Sequence, residues 1–145
     1  MQEEELTKAF PDANMDQLGF AVAELAKDGY VTTTSFISRR LPHMRSTVEL
    51  FLSFDPHAVG SNPAEDAVTL VDLALAATDN VGPEELRKAT GWPIRRFNPA
   101  FAYMLSQIDD RRVLKGGTDE YVARGFFLLD SDRVDLHRFA ARLWR

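Results

Sequence analysis

The chain contains no cysteine. That excludes disulfides and thiolate metal sites, and it fits a reducing, cytoplasmic compartment. No apolar run reaches the length needed to span a bilayer, and the opening MQEEEL has no basic-then-apolar leader pattern. Basic residues are in the minority. The 17 Lys and Arg against 22 Asp and Glu leave a net charge of −5, which argues against a broad, sequence-blind grip on phosphates. His43, His57 and His137 stand far apart and in no ligand spacing, so neither a metal nor a cofactor is expected.

Enzyme signatures are equally scarce. Residues 53–57 (SFDPH) hold triad residue types, but too close together on one stretch to adopt triad geometry. Residues 115–118 (KGGT) carry P-loop letters in the wrong order. The acids at 130, 132 and 135 lack the Gly and Glu of a calcium loop, and helix capping explains them better. No catalytic residue is assigned, and an enzyme is not expected.

The chain does have apolar material. It is 45% hydrophobic and 27% charged, over 145 residues that make one ordinary domain or two small ones. Charge is uneven: residues 1–60 hold five Lys and Arg against nine Asp and Glu, and residues 61–145 hold twelve against thirteen. Any basic face is therefore local.

Apolar spacing predicts a short helix over 3–10 and a longer one over 15–27, capped by Asn14 and ended by Asp28-Gly29. The β-branched run 30–37 (YVTTTSFI) and the alternation in 47–54 (TVELFLSF) predict two strands, with SRRLPHMRS as the hairpin tip. Residues 55–62 (DPHAVGSN) read as a linker. Helices follow over 63–77, 84–90 and 94–108, the last with an irregular first turn and a regular part from about Pro99. Strands are expected at 112–115 and 121–129, then a final helix to Trp144 capped by Asp130 or Ser131.

The hexapeptide at 4–9, EELTKA, returns at 84–89 as EELRKA. Residues 24–31 (ELAKDGYV) align with 107–114 (QIDDRRVL) if the second copy carries about three extra residues at its turn. Element order matches in both halves, which reads as an internal repeat. The second copy, VGPEELRKATGWPIRRFNPAFAYMLSQIDDRRVL, resembles the winged helix-turn-helix superfamily: E-E-L-x-x-A-x-G-W-x before a helix, a second helix ending in an apolar step, then a wing. The resemblance covers about 64–130 well and 1–56 more weakly, because the first copy has no leading helix. It implies an α+β fold of two tandem winged-helix lobes, 1–56 and 62–145, mainly helical with two hairpin wings. The C-terminal helix 131–144, a second copy of the chain or a partner protein would take the place of the leading helix, or the chain is a fragment of a longer one.

In that frame the helix over 94–108 would lie in a DNA major groove. Arg95, Arg96, Asn98 and Tyr103 are expected to point away from the core, where Arg can read guanine, Asn adenine, and all four phosphate. The hairpin adds Arg39, Arg40 and Arg45, suited to a minor groove or backbone; the alternative is that they discourage edge-to-edge strand pairing. The first copy offers acids instead. Asp12, Asp16 and Glu24 would repel phosphate, and with Gln17 and Phe20 they suit a protein partner, together with Trp144 beside the cations of the last helix. The leading expectation is a DNA-binding or DNA-associated regulatory protein that uses the helix over 94–108 and the basic wing. The alternative is an interaction adaptor or assembly subunit without direct DNA contact, in the manner of the acidic tandem winged-helix subunits of bacterial condensin complexes.

Overall fold

The structure is a computed structural model that describes residues 1–116 and 120–143. Among these residues it is a mainly helical α+β chain with two small antiparallel hairpins. The elements run α1 (Glu3–Ala9), α2 (Met15–Lys27), β1 (Val31–Thr34), β2 (His43–Ser46), α3 (Val48–Ala58), α4 (Pro63–Ala76), α5 (Pro83–Thr90), α6 (Ile94–Leu105), β3 (Val113–Leu114), β4 (Gly125–Phe126) and α7 (Asp130–Leu143). Contacts divide the chain into unit 1, Met1–Ser53, and unit 2, Phe54–Arg145. The division falls inside α3.

In unit 1, Asn14 starts α2 with a reciprocal cap. Its Oδ1 accepts the Gln17 N–H (2.8 Å), and Gln17 Oε1 accepts the Asn14 N–H (3.0 Å). Gly29, at φ +80°, lets the chain leave the helix in the left-handed region. Strand β1 pairs with β2 from Val31 opposite Ser46 to Thr34 opposite His43. The buried residues are Leu6, Leu18, Val22, Val31, Leu41 and Met44.

Here the structure corrects the reading of 47–54. The partner strand is His43–Ser46, and Val48–Ala58 is helical. The alternation Val48, Leu50, Leu52, Phe54 suits a strand, but Val48, Phe51 and Leu52 stand at i, i+3 and i+4, a helical spacing, within the same eight residues. So short an apolar run does not distinguish the two periods. The linker expected at 55–62 is correspondingly shorter. Helix α3 carries Pro56 within it and ends where the Val59 and Gly60 N–H groups both donate to the Asp55 carbonyl. The hairpin tip also shifts: Leu41 and Met44, read as tip, are buried.

In unit 2, Asn62 caps α4 by accepting the Ala64 N–H (3.1 Å), with Pro63 at the first helical position. Gly91, at φ +69°, ends α5. Helix α6 is regular from Ile94, and Pro99 lies inside it rather than at its start. An internal proline costs a helix about 3 kcal/mol. The stripe Phe97, Ala100, Phe101, Met104 and Leu105, all buried, offsets that cost. Phe97 stacks on Phe101 with centroids 5.2 Å apart, and Tyr121 meets Phe97 edge-on at 5.7 Å. From α7, Leu136 and Phe139 enter the same core.

The second hairpin is shorter than the strands expected at 112–115 and 121–129. Only Val113 and Leu114 pair, with Phe126 and Gly125. Val113 and Phe126 turn inward while Leu114 and Val122 are exposed, so no long buried face sustains a ladder. Residues 117–119 of this wing lie outside the described residues. The cap of α7 also differs: the Leu129 N–H donates to the Asp132 carboxylate (2.9 Å), in place of a cap by Asp130 or Ser131.

Phe97→Ala should lower the stability of unit 2 by roughly 3–5 kcal/mol, read as a fall in the urea midpoint. Phe20→Ala, at a side chain 72% exposed, should move that midpoint by less than about 0.5 kcal/mol. Equal effects would contradict the core assignment.

Candidate partner-binding site

The first turn of α6 presents two consecutive arginines. Arg95 donates from Nη1 and Nη2 to Asp55 (2.8 and 2.7 Å). Arg96 donates from Nε and Nη2 to Asp66 (2.8 and 2.7 Å) and lies over the Trp92 ring at 4.4 Å. Both are two-pronged guanidinium–carboxylate pairs, the strongest common form of charge-assisted hydrogen bond. The carboxylates are buried, at 4% and 8% side-chain exposure, while the arginines are half in solvent, at 53% and 42%. Hydrogen bonds donated to Asp55 and Asp66 raise the two guanidinium pKa values, so both arginines stay cationic.

This corrects the picture of a solvated reading face. Arg95 and Arg96 do reach the surface, but carboxylates of α3 and α4 occupy their forks. Asn98 donates from Nδ2 to the Glu120 carbonyl (2.8 Å), and its buried Oδ1 meets no donor among the described residues. Tyr103, expected to point outward, is half-buried with its ring edge-on to Phe139 at 5.2 Å. Sequence reasoning missed both acids. Asp55 lay in an apparent linker, and Asp66 looked like an ordinary acid of a helix first turn. The available signal was two adjacent arginines opening an amphipathic helix, a pattern that calls for counter-charges.

A single hydrogen bond joins Arg112 Nε to the buried Asp132 carboxylate (3.2 Å). Near α5, Arg87 bonds Glu120 (2.6 Å) and Lys88 bonds Glu84 (2.9 Å). Together these bonds absorb much of the basic charge of unit 2.

On the unit 1 hairpin, Arg39 and Arg40 lie in the connection between the strands and Arg45 on β2. All three are exposed. Arg39 donates to the Gln2 side chain (2.8 Å), and Arg40 stands 3.9 Å from Asp16 with both groups largely in water. Such exposed contacts hold little free energy. Phe36 and Ile37 in the same connection are also exposed, a feature the residue pattern did not reveal.

Asp16, Gln17, Phe20 and Glu24 are all exposed on α2. Trp144 lies outside the described residues. Positions 17, 20, 21 and 24 share one side of the helix, and that side borders a groove between α1, α2 and β2. The groove encloses about 830 Å³. Its floor is Leu6, Leu18, Val22, Leu25 and Met44, and Phe10 and Ala21 stand at its edges. Asp12 carries the one charged side chain among those lining it, and the terminal ammonium of Met1, which also lines it, donates to the Met44 carbonyl. Phe10 is 55% exposed. The sequence reading placed a contact surface on α2 but missed the groove beside it. The small exposed Ala21 next to Leu18 and Val22 was the available signal.

No described helix is long and apolar enough to cross a membrane, and the described residues hold no His/Asp/Glu cluster that could bind a metal ion. No protein-family model, curated protein or solved structure matches this chain.

Asp66→Ala should cost roughly 1–3 kcal/mol. That is less than a fully buried pair, because Arg96 keeps half its surface in water. Adding Arg96→Met should recover most of the loss, since the unpaired cation goes with it. A double variant no more stable than the single one in urea melts would show that the pair is not coupled.

Proposed function

We propose that the chain is a cytoplasmic protein-interaction module, built on two tandem winged-helix lobes, that takes a partner in the α1–α2 groove. The observation that carries this reading is an open apolar concavity with the exposed Phe10 among its lining residues. Aromatic anchors beside an apolar floor are the usual energetic centre of a protein interface. The winged-helix element of the reading rests on the sequence resemblance and the element order. Helix, helix, strand, strand, helix recurs in α1–α3 and in α5–α7. The net charge of −5 and the carboxylate-bound arginines of α6 favour a protein partner over DNA.

A second reading keeps DNA as the ligand, held by the unit 1 hairpin rather than by α6. The exposed Arg39, Arg40 and Arg45 favour it, with Phe36 and Ile37 placed to wedge between base steps.

Two measurements separate the readings. Nile red, a neutral apolar dye, should brighten and shift to the blue with the full chain, and Ala21→Lys should abolish the change. A labelled DNA duplex should show no rise in anisotropy even at low salt. Salt-sensitive DNA binding that is lost on replacing Arg39, Arg40 and Arg45 with alanine would install the second reading in place of the first.

A further inference from the structure

Resting on the interaction reading above, we infer that the α1–α2 groove receives a two-turn amphipathic helix whose apolar stripe is like that of α4 and whose flanks are basic. The argument begins from the register in which 24–31 aligns with 107–114. It sets Gln17, Leu18, Ala21, Val22 and Leu25 of α2 on Ala100, Phe101, Met104, Leu105 and Ile108. All five residues of the second set are buried. The element that packs most extensively against α6 is α4. In α2, by contrast, Gln17 and Ala21 are exposed and Leu25 is partly so. The row that is buried throughout in unit 2 is therefore partly open in unit 1, at Gln17, Ala21 and Leu25 with Leu18 and Val22 buried, and all five of its residues line the groove.

The covering helix in unit 2 specifies the chemistry of the occupant. Ala67, Leu70, Val71 and Ala74 of α4 are completely or almost completely buried. Their spacing, i, i+3, i+4, i+7, is the anchor pattern of a helix laid in a groove. Small residues at both ends with branched ones between let the backbones approach closely. The groove runs along α2 from Gln17 to Leu25, about 12 Å, which matches two helical turns.

Charge distinguishes the occupant from α4 itself. Asp12 carries the one charged side chain lining the groove, the Met1 ammonium is taken up by the Met44 carbonyl, and Glu24 continues the row Gln17–Ala21 by one turn. Helix α4 carries Glu65, Asp66 and Asp72, which would meet this rim as like charges. A lysine- or arginine-flanked helix would meet it as opposite ones.

The test uses the full chain and three labelled synthetic 14-residue peptides. The first carries the Ala-x-x-Leu-Val-x-x-Ala stripe with lysine at the flanking positions. The second has glutamate there, and the third scrambles the lysine peptide so that no apolar face forms. The lysine peptide should bind roughly fivefold or more tightly than either control. Ala21→Lys should remove its binding. This is an exposed, helix-compatible substitution that should leave circular dichroism unchanged. Glu24→Lys should reduce the preference for lysine over glutamate.

Equal binding of the scrambled peptide overturns the helical occupant, and equal or tighter binding of the glutamate peptide overturns the charge assignment. A dimer in sedimentation that Ala21→Lys dissociates assigns the groove to a second copy and overturns the inference. If Nile red binds in an Ala21-dependent way and none of the peptides does, the inference fails while the interaction reading stands. If the dye fails as well, both fall.

Discussion

Two guanidinium–carboxylate pairs set the geometry of unit 2. Arg95 and Arg96 open α6, and each reaches a carboxylate on a different helix, Asp55 on α3 and Asp66 on α4. Asp66 lies in the first turn of α4, where the helix dipole already favours a negative charge. A buried carboxylate left without its cation would be strongly destabilising, so each acid holds the start of α6 in place. From that fixed start, the stripe Phe97, Ala100, Phe101 and Met104 meets the apolar face of α4, and the aromatic contacts with Tyr121, Phe126 and Phe139 follow. The internal Pro99 is tolerated inside this frame.

The same pairs bear on what the chain binds. Arginines bonded to buried carboxylates offer phosphate or a base edge only at the cost of those bonds. Unit 1 has the opposite character. Its core is small, its cations on the hairpin are loosely engaged, and the apolar groove beside α2 is open. In unit 2 the apolar stripe of α6 is buried, while in unit 1 the groove beside α2 is open and has Asp12 on its rim. That contrast is the support for the interaction proposed on unit 1.

Much of the architecture was legible because local chemistry and tertiary packing agreed. Asn14, Asn62, Gly29 and Gly91 marked helix boundaries where the structure has them. The 3.6-residue spacing over 15–27 and 63–77 was long enough to be unambiguous. The run 47–54 was not: eight residues satisfied two periods, and packing chose the helix. The second hairpin was overestimated because β-branched and aromatic content signals strand preference but not how far a ladder extends. The candidate site was legible on α2, where Asp16, Gln17, Phe20 and Glu24 are exposed as their spacing implied. It was illegible on α6, where outward direction was mistaken for availability. Side-chain direction follows from helix phase, but a partner forty or thirty residues away along the chain does not.

Adjacent positions on a helix project about 100° apart, so Arg95 and Arg96 cannot exchange partners. Each acid is matched to one place on α6. Over evolutionary time these four sites should drift in twos, 55 with 95 and 66 with 96, each couple kept whole or surrendered whole to apolar replacements. The hairpin arginines, bound to nothing so demanding, are free to change one at a time.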